Sequence, residues 1–519
     1  MRQPSDAVPE RISSARPCLG RVSNAARLPQ HPRHRTIPRL CRAGQDPHES
    51  HHGGQPDSLA ENRHRSAETW MKKRIVEQAA LMFSIAKWTA LATLTGVLVG
   101  TVTAWFLNTL AVSIDAIQHL ARWYFLLPVG GLLCGWLIHR FAPEAEGHGT
   151  EQVIAAVHER HGHIPLLVMP VKWAATLATI ATGGSAGKEG PCAQIGGSLA
   201  SGLSGMLRLR PEDRRKLVIC GISAGFASVF GTPIAGALFG VEVLFLGQLL
   251  YDVLYPSFVA GIVSYQTSQV MGITYFHHTL TVVPPFTETR FLKMIGVGIL
   301  FGLGSLLLIE SLRFAQALFK RIRVHRIAKP ALGGLVLLLL TLPASPRYLG
   351  LGMPDIERAI TGGAVPGGAF LWKILFTSVT LGSGGSGGII TPIFFIGATL
   401  GNALAPLLRM DAATLASLGM VALLAGAANT PIAASIMAIE FFGPQIGPFA
   451  CIVCITAFLT SGHRSVYASQ RLAIRKTEAL KPPVQEIVGE IERMELGEEG
   501  QAFLDRLMRF VRRQARRGK

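Results

Sequence analysis

Apolar residues in this chain gather in blocks instead of alternating with polar ones. The blocks fall at 88–111, 124–138, 169–180, 291–309, 331–342, 370–381 and 449–459. They predict helices in contact with a bilayer, although several are shorter than the roughly 20 residues an upright crossing needs. Fifty-six glycines and 30 prolines are spread among them, so the predicted helices are short, tilted or broken partway. A broken helix is tolerated at membrane depth only where protein or a watery cavity covers its freed backbone groups, which is the setting of a transporter or channel interior.

The pattern then repeats. Gly184-Ser185-Ala186-Gly187, followed by Pro191, Ile195, Gly196 and Leu199, returns 201 positions later as Gly385-Ser386-Gly387-Gly388, followed by Pro392, Ile396, Gly397 and Leu400. Ala224-Gly225 returns as Ala425-Gly426. After a three-residue shortening, Thr232-Pro233-Ile234-Ala235 with Glu242 returns as Thr430-Pro431-Ile432-Ala433 with Glu440. Spacing kept over about fifty residues predicts two halves on one plan, about 87–270 and 288–461, each with a Gly-rich break leading into an apolar helix. A last helix is expected over 467–478.

The chain ends differ from this core. Residues 1–70 are rich in Arg, Pro, His and Ser without apolar periodicity, and read as a disordered basic extension. Met71, followed by Lys72, Lys73 and Arg74, opens an amphipathic lead-in helix over 71–86, and one reading is that translation begins there. A mitochondrial transit peptide fits less well, because Asp6, Glu10, Asp46 and Glu49 break its acid-poor pattern. Residues 479–519 form a short polar tail.

Composition supports the membrane reading, with 49% hydrophobic and only 16% charged residues. The formal net charge of +18 would suggest nucleic acid in a soluble protein. Here the basic residues collect at the ends of apolar blocks, at 208–216, 320–329 and 471–481, with no aromatic–basic interleaving, so no nucleic-acid partner is expected. The positive-inside rule places these clusters and both termini in the cytoplasm, and the expected location is the bacterial inner (plasma) membrane. The seven cysteines lack framework spacing, and Cys451 and Cys454 sit inside an apolar block where a thiol pair is ordinary packing.

The candidate chemistry concerns anions. A helix N-terminus offers unpaired N–H groups and about half a positive charge, enough to stabilise an anion without trapping it. Gly-rich breaks that could open such helices occur at Gly147-His148-Gly149-Thr150, at Gly187-Lys188-Glu189-Gly190-Pro191 and at Gly387-Gly388-Ile389-Ile390-Thr391-Pro392. Glu189 stands alone among glycines and apolar residues, where an ionisable group costs about 2.5–3.5 kcal/mol on insertion scales. Gly187-Lys188 is followed by Glu189 and not by Ser or Thr, which excludes a nucleotide-binding loop.

In order and spacing these three segments resemble the signatures of the CLC chloride channel and transporter family, usually GSGIP, G-K/R-E-G-P and G-x-F-x-P. The resemblance runs from about 88 to 470, and Ser465-Val466-Tyr467 resembles the start of the family's final helix. It implies an all-α polytopic membrane protein with two inverted-topology repeats of broken, tilted helices, without CBS domains in the tail, acting as a homodimer. By the same resemblance Glu189 is the gating glutamate. His148, Gly149, Lys188, Gly190, Ile389, Ile390, Thr391 and Tyr467 would surround chloride or another small anion, with no metal and no organic cofactor. Three departures stand out. His148 replaces the central serine, Ile390 with Thr391 replaces the usual Phe and Ala, and some fluoride-selective members also depart from the pattern at these places. Val243 occupies the place of the internal proton glutamate, which implies a passive Glu189-gated channel; the alternative is a proton-coupled chloride or fluoride antiporter.

Other features have plainer readings. Glu242 is one residue, about 100° of helix, from the Val243 place, and its mate Glu440 points to a structural role shared by both halves. Lys172 is expected to be snorkelling or paired. His158-Glu159-Arg160-His161-Gly162-His163 lacks the spacing of a metal-binding helix. An intramembrane enzyme would need a catalytic pair or metal ligands at membrane depth, and no convincing set is present, so enzymatic activity is not expected.

Overall fold

The computed structural model describes residues 56–275, 277–280, 285 and 287–481, with parts of 484–509. The chain divides into two compact units, 1–74 and 75–519. Sixteen α-helices lie among the described residues. The first eight are α1 (Pro56–Gln118), α2 (Leu127–Phe141), α3 (Thr150–Glu159), α4 (Val168–Ala181), α5 (Glu189–Met206), α6 (Pro211–Phe230), α7 (Pro233–Glu242) and α8 (Tyr251–Val270). Eight more repeat the order: α9 (Glu288–Arg321), α10 (Lys329–Thr341), α11 (Met353–Ile360), α12 (Ala369–Gly382), α13 (Ile390–Leu408), α14 (Ala412–Ala428), α15 (Pro431–Phe442) and α16 (Gly447–Thr460). Four stretches among the described residues are long and apolar enough to cross a membrane: Trp70–Gln118, Trp123–Phe141, Glu288–Arg321 and Ile390–Leu408. Many others have 10–17 residues, as the Gly and Pro breaks predict.

The two halves are related helix by helix. α6 packs on α5, α7 and α8, as α14 packs on α13, α15 and α16, while α7 meets α15 between the halves. Pro233 and Pro431 each begin a helix in its first turn, where the missing N–H costs nothing.

Reciprocal side-chain bonds tie the halves together. Glu242, at the end of α7, accepts from the N–H groups of Ile432 and Ala433 at 3.0 and 2.7 Å, and Glu440 accepts from those of Ile234 and Ala235 at 3.0 and 2.8 Å. Each carboxylate caps the opposite half's helix, where donors and dipole both favour it. The shared structural role expected of this pair is therefore borne out. Thr179 and Thr380 likewise exchange partners, each hydroxyl accepting the N–H of the serine that opens the other half's break, Ser386 and Ser185.

Three expectations are corrected. Residues 56–70 are helical, because after Pro56 this stretch contains no Gly or Pro; residues 1–55 lie outside the described residues. The lead-in over 71–86 is not a separate helix but part of α1. No helix occupies 467–478. The backbone there spends its donors across the chain, Arg471 N–H on Leu244 O and Ala473 N–H on Leu246 O. β2 (Arg471–Leu472) accordingly lies parallel to β1 (Phe245–Leu246). Gln470, fully buried, fixes this path by donating to Val243 O and Ala428 O, both at 2.8 Å.

Candidate functional site

Three helices begin at one place. The breaks before α5 and α13 are joined by two 2.6 Å backbone bonds, Gly187 N–H to Gly388 O and Gly388 N–H to Gly187 O. The break before α3 abuts the same point, and glycine makes this possible. A Cβ on Gly190 would stand 1.9 Å from His148 O, and one on Gly149 would stand 2.3 Å from Gly190 O. Gly149 also has φ +81°, a conformation side-chain-bearing residues rarely adopt.

Glu189 is 1% exposed at the start of α5. Its Oε2 accepts from Thr391 N–H at 3.1 Å and its Oε1 from the Thr391 hydroxyl. The carboxylate therefore occupies the N-terminus of α13, the other half's helix, and does not merely stabilise the dipole of its own. Ile389 caps α13 and Ile390 opens it, both in the core. Lys188, Glu189 and Thr391 line a cavity of about 360 Å³ together with Phe230, Tyr275, Ile356, Phe394 and Phe441.

Just ahead of α3, His148 is 2% exposed. Its Nδ1 stands 3.4 Å from Glu151 Oε2 without forming a hydrogen bond. Tyr467 is buried beside Thr150, within electrostatic reach of Glu189 and Glu151. Val243, the C-cap residue after α7, is fully buried, and its side chain has no group that could carry a proton.

Every predicted site residue except Val243 thus falls at or next to the three converging helix starts, and Val243 is tied to the Tyr467 segment through Gln470. Lys172 is paired, as expected, but with carbonyls: its Nζ donates to Ala145 O at 3.0 Å and to Gly147 O at 2.6 Å. It thereby holds the loop that carries His148. Lys373 does the same in the second half, donating to Tyr348 O at 3.1 Å and Gly350 O at 2.7 Å ahead of α11. Lys373 was missed in the sequence, although it stands the repeat's own 201 positions after Lys172. Glu151, Thr150 and Gln470 were also missed, and none carries a sequence signal beyond its neighbourhood.

Comparison with known proteins decides the family. A profile of the voltage gated chloride channel family matches residues 130–462. The chain belongs to this CLC family. It is 41% identical over 419 residues to a chloride/fluoride channel protein of Pseudomonas syringae pv. tomato, covering 78% of this chain and 91% of that one. To the H(+)/Cl(-) exchange transporter ClcA of Klebsiella pneumoniae it is 31% identical over 389 residues, covering 70% and 81%. Among solved structures, the crystal structure of a CLC-type fluoride/proton antiporter superposes with a TM-score of 0.71 at 31% identity, over 74% of this chain and 98% of that one. CLC members are channels and transporters for chloride and related anions, and this chain is an integral membrane protein of that class.

Proposed function

We propose that this CLC protein carries chloride and fluoride along a pathway that Glu189 closes when ionised and opens when protonated. The observation that carries the reading is the Glu189 carboxylate docked on the N–H and hydroxyl of Thr391, at a helix start suited to an anion. Ionised, the side chain competes with a halide for those donors; protonated, it loses the charge that held it there. Glu189→Gln, a permanent stand-in for the protonated form, should give anion flux in proteoliposomes that no longer rises as pH falls. Flux that keeps its full pH dependence in this variant would overturn the assignment.

Whether protons travel with the anion depends on a second titratable group. Val243 cannot serve, and a passive pathway is the direct consequence. One observation favours a second reading, proton-coupled exchange: the buried His148 Nδ1 lies 3.4 Å from Glu151, whose side chain is 23% exposed and so reaches solvent. Similarity to the fluoride/proton antiporter points the same way. Reversal potentials under a pH gradient separate the two, since only the coupled form shifts with proton drive, and Glu151→Gln should then abolish the shift while leaving anion flux. We further infer a homodimer, with the apolar surfaces of 238–250 and 432–454 as candidate interfaces; light scattering of the detergent-solubilised protein tests it.

A further inference from the structure

A second polar cavity, of about 380 Å³, is lined by His158, Arg215, Phe245, Gln248, Arg471, Leu472 and Ala473. It lies where the end of α3, the first turns of α6 and the β1–β2 pair meet, and it shares no lining residue with the cavity beside Glu189. Two arginines line it and no carboxylate does. Arg215 Nε and Arg471 Nε are both shielded from solvent, and neither has a hydrogen-bond partner among the described residues. A buried donor left without a partner is costly, and more so on a charged group, so a pair of them in one cavity calls for an acceptor. The Nε edge of a guanidinium, with its neighbouring Nη, forms the fork that fits two oxygens of an oxyanion.

His158 narrows the ligand class. Its Nε2 lies 2.9 Å from Leu244 O, and since a carbonyl only accepts, Nε2 carries the proton. In the neutral ring Nδ1 is then an acceptor, suited to a ligand hydroxyl. Phe245 stands edge-on to the imidazole with ring centres 4.8 Å apart and holds it in place.

We propose that this cavity binds a phosphate monoester bearing a hydroxyl, either a soluble organophosphate or the headgroup of a membrane lipid, with Arg215 and Arg471 gripping the phosphate. Arg471 is four residues beyond Tyr467 and its strand is bonded to the segment that follows Val243, so the ligand braces the path of the chain behind the anion site.

The test uses the full chain in neutral detergent at fixed saturating chloride, which keeps the transport site occupied. Glycerol 3-phosphate and inorganic phosphate are titrated by calorimetry and thermal shift. In parallel, the melting temperature is compared in nanodiscs of phosphatidylcholine with and without lysophosphatidic acid, a phosphate monoester that keeps a free hydroxyl. Saturable binding or stabilisation in either arm, weakened about tenfold or more by Arg215→Gln and by Arg471→Gln, is the expected result, and the responding arm names the source. Both variants should retain the melting temperature of unliganded protein and its chloride flux, so a failure here leaves the reading of Glu189 untouched. No saturable response in either arm, or one that both variants leave unchanged, as an adventitious ion only would give, overturns the proposal.

Discussion

Replacing Thr391 by Val removes one of the two donors that hold the Glu189 carboxylate while keeping the shape of the side chain and the backbone N–H. Glu189 is 1% exposed, so water does not replace the lost bond. A hydrogen bond to a charged group contributes about 1.5–3 kcal/mol. At about 1.4 kcal/mol per factor of ten, the docked carboxylate should be disfavoured at least about tenfold against every state in which the site is open. The lost bond stabilises the ionised form more than the protonated one, because a bond to a charged acceptor is the stronger. Its removal therefore lets protonation win at lower proton concentration, and the curve of flux against pH moves toward higher pH by about one unit or more. Stopped-flow or electrode measurement of chloride efflux from proteoliposomes across pH 4 to 8 reads this directly. The same substitution in a Glu189→Gln background should have no such effect, because the partner is already neutral, and the double-mutant cycle isolates the pair. A curve that stays in place, or moves toward lower pH, would refute the docking of Glu189 on Thr391 as the closed state.

Further outcomes follow from the same contacts. Lys172→Met and Lys373→Met each leave two carbonyls buried without a donor, at about 1–3 kcal/mol apiece, so both should lower the melting temperature. Only Lys172→Met should also weaken halide binding by calorimetry, since its loop carries His148. Glu242→Gln and Glu440→Gln should lower stability by about 1–3 kcal/mol each through the loss of a helix cap. Their effects should be alike, as read in thermal unfolding, and flux should persist in both. His148→Ser restores a hydroxyl at the start of α3 and should raise chloride flux relative to fluoride flux, measured with ion-selective electrodes.

Much of this architecture could be read from the sequence because its signals are local. A Gly-rich break and the Pro of a helix's first turn report backbone geometry at their own positions, so the starts of α5, α7, α13 and α15 were legible, and with them Glu189 and Thr391. The 201-residue repeat added the pairing of the halves. The fate of 467–478 was not legible, because nothing within YASQRLAIRKTE forbids a helix. The decision is made by the backbone of 243–246, more than 200 positions away, which accepts bonds from Gln470, Arg471 and Ala473 that a helix would not form. The placing of Thr150 beside Tyr467 and the approach of Glu151 to His148 were hidden for the same reason. They depend on which face of a ten-residue helix meets the end of the second half.

The reciprocal bonds explain why a duplicated plan suits a site for anions. In a single half, α5 would begin with an acid beside its own N-terminus and α7 would end with an acid beside no donor. Once two copies are inverted against each other, each terminal carboxylate of α7 and α15 finds the other copy's helix start. Gly187 and Gly388 then close into a two-bond bridge that sets the starts of α5 and α13 side by side. The symmetry fails at one point. Where the first half has Glu189 as the first residue of α5, the second has Ile390, 201 positions on, as the first residue of α13. The paired starts of α5 and α13 therefore share one carboxylate, that of Glu189. Two acids there would repel each other and the anion alike, whereas one can exchange places with a halide and surrender its charge to a proton. The duplication thus supplies the donors, and the departure from duplication supplies the gate.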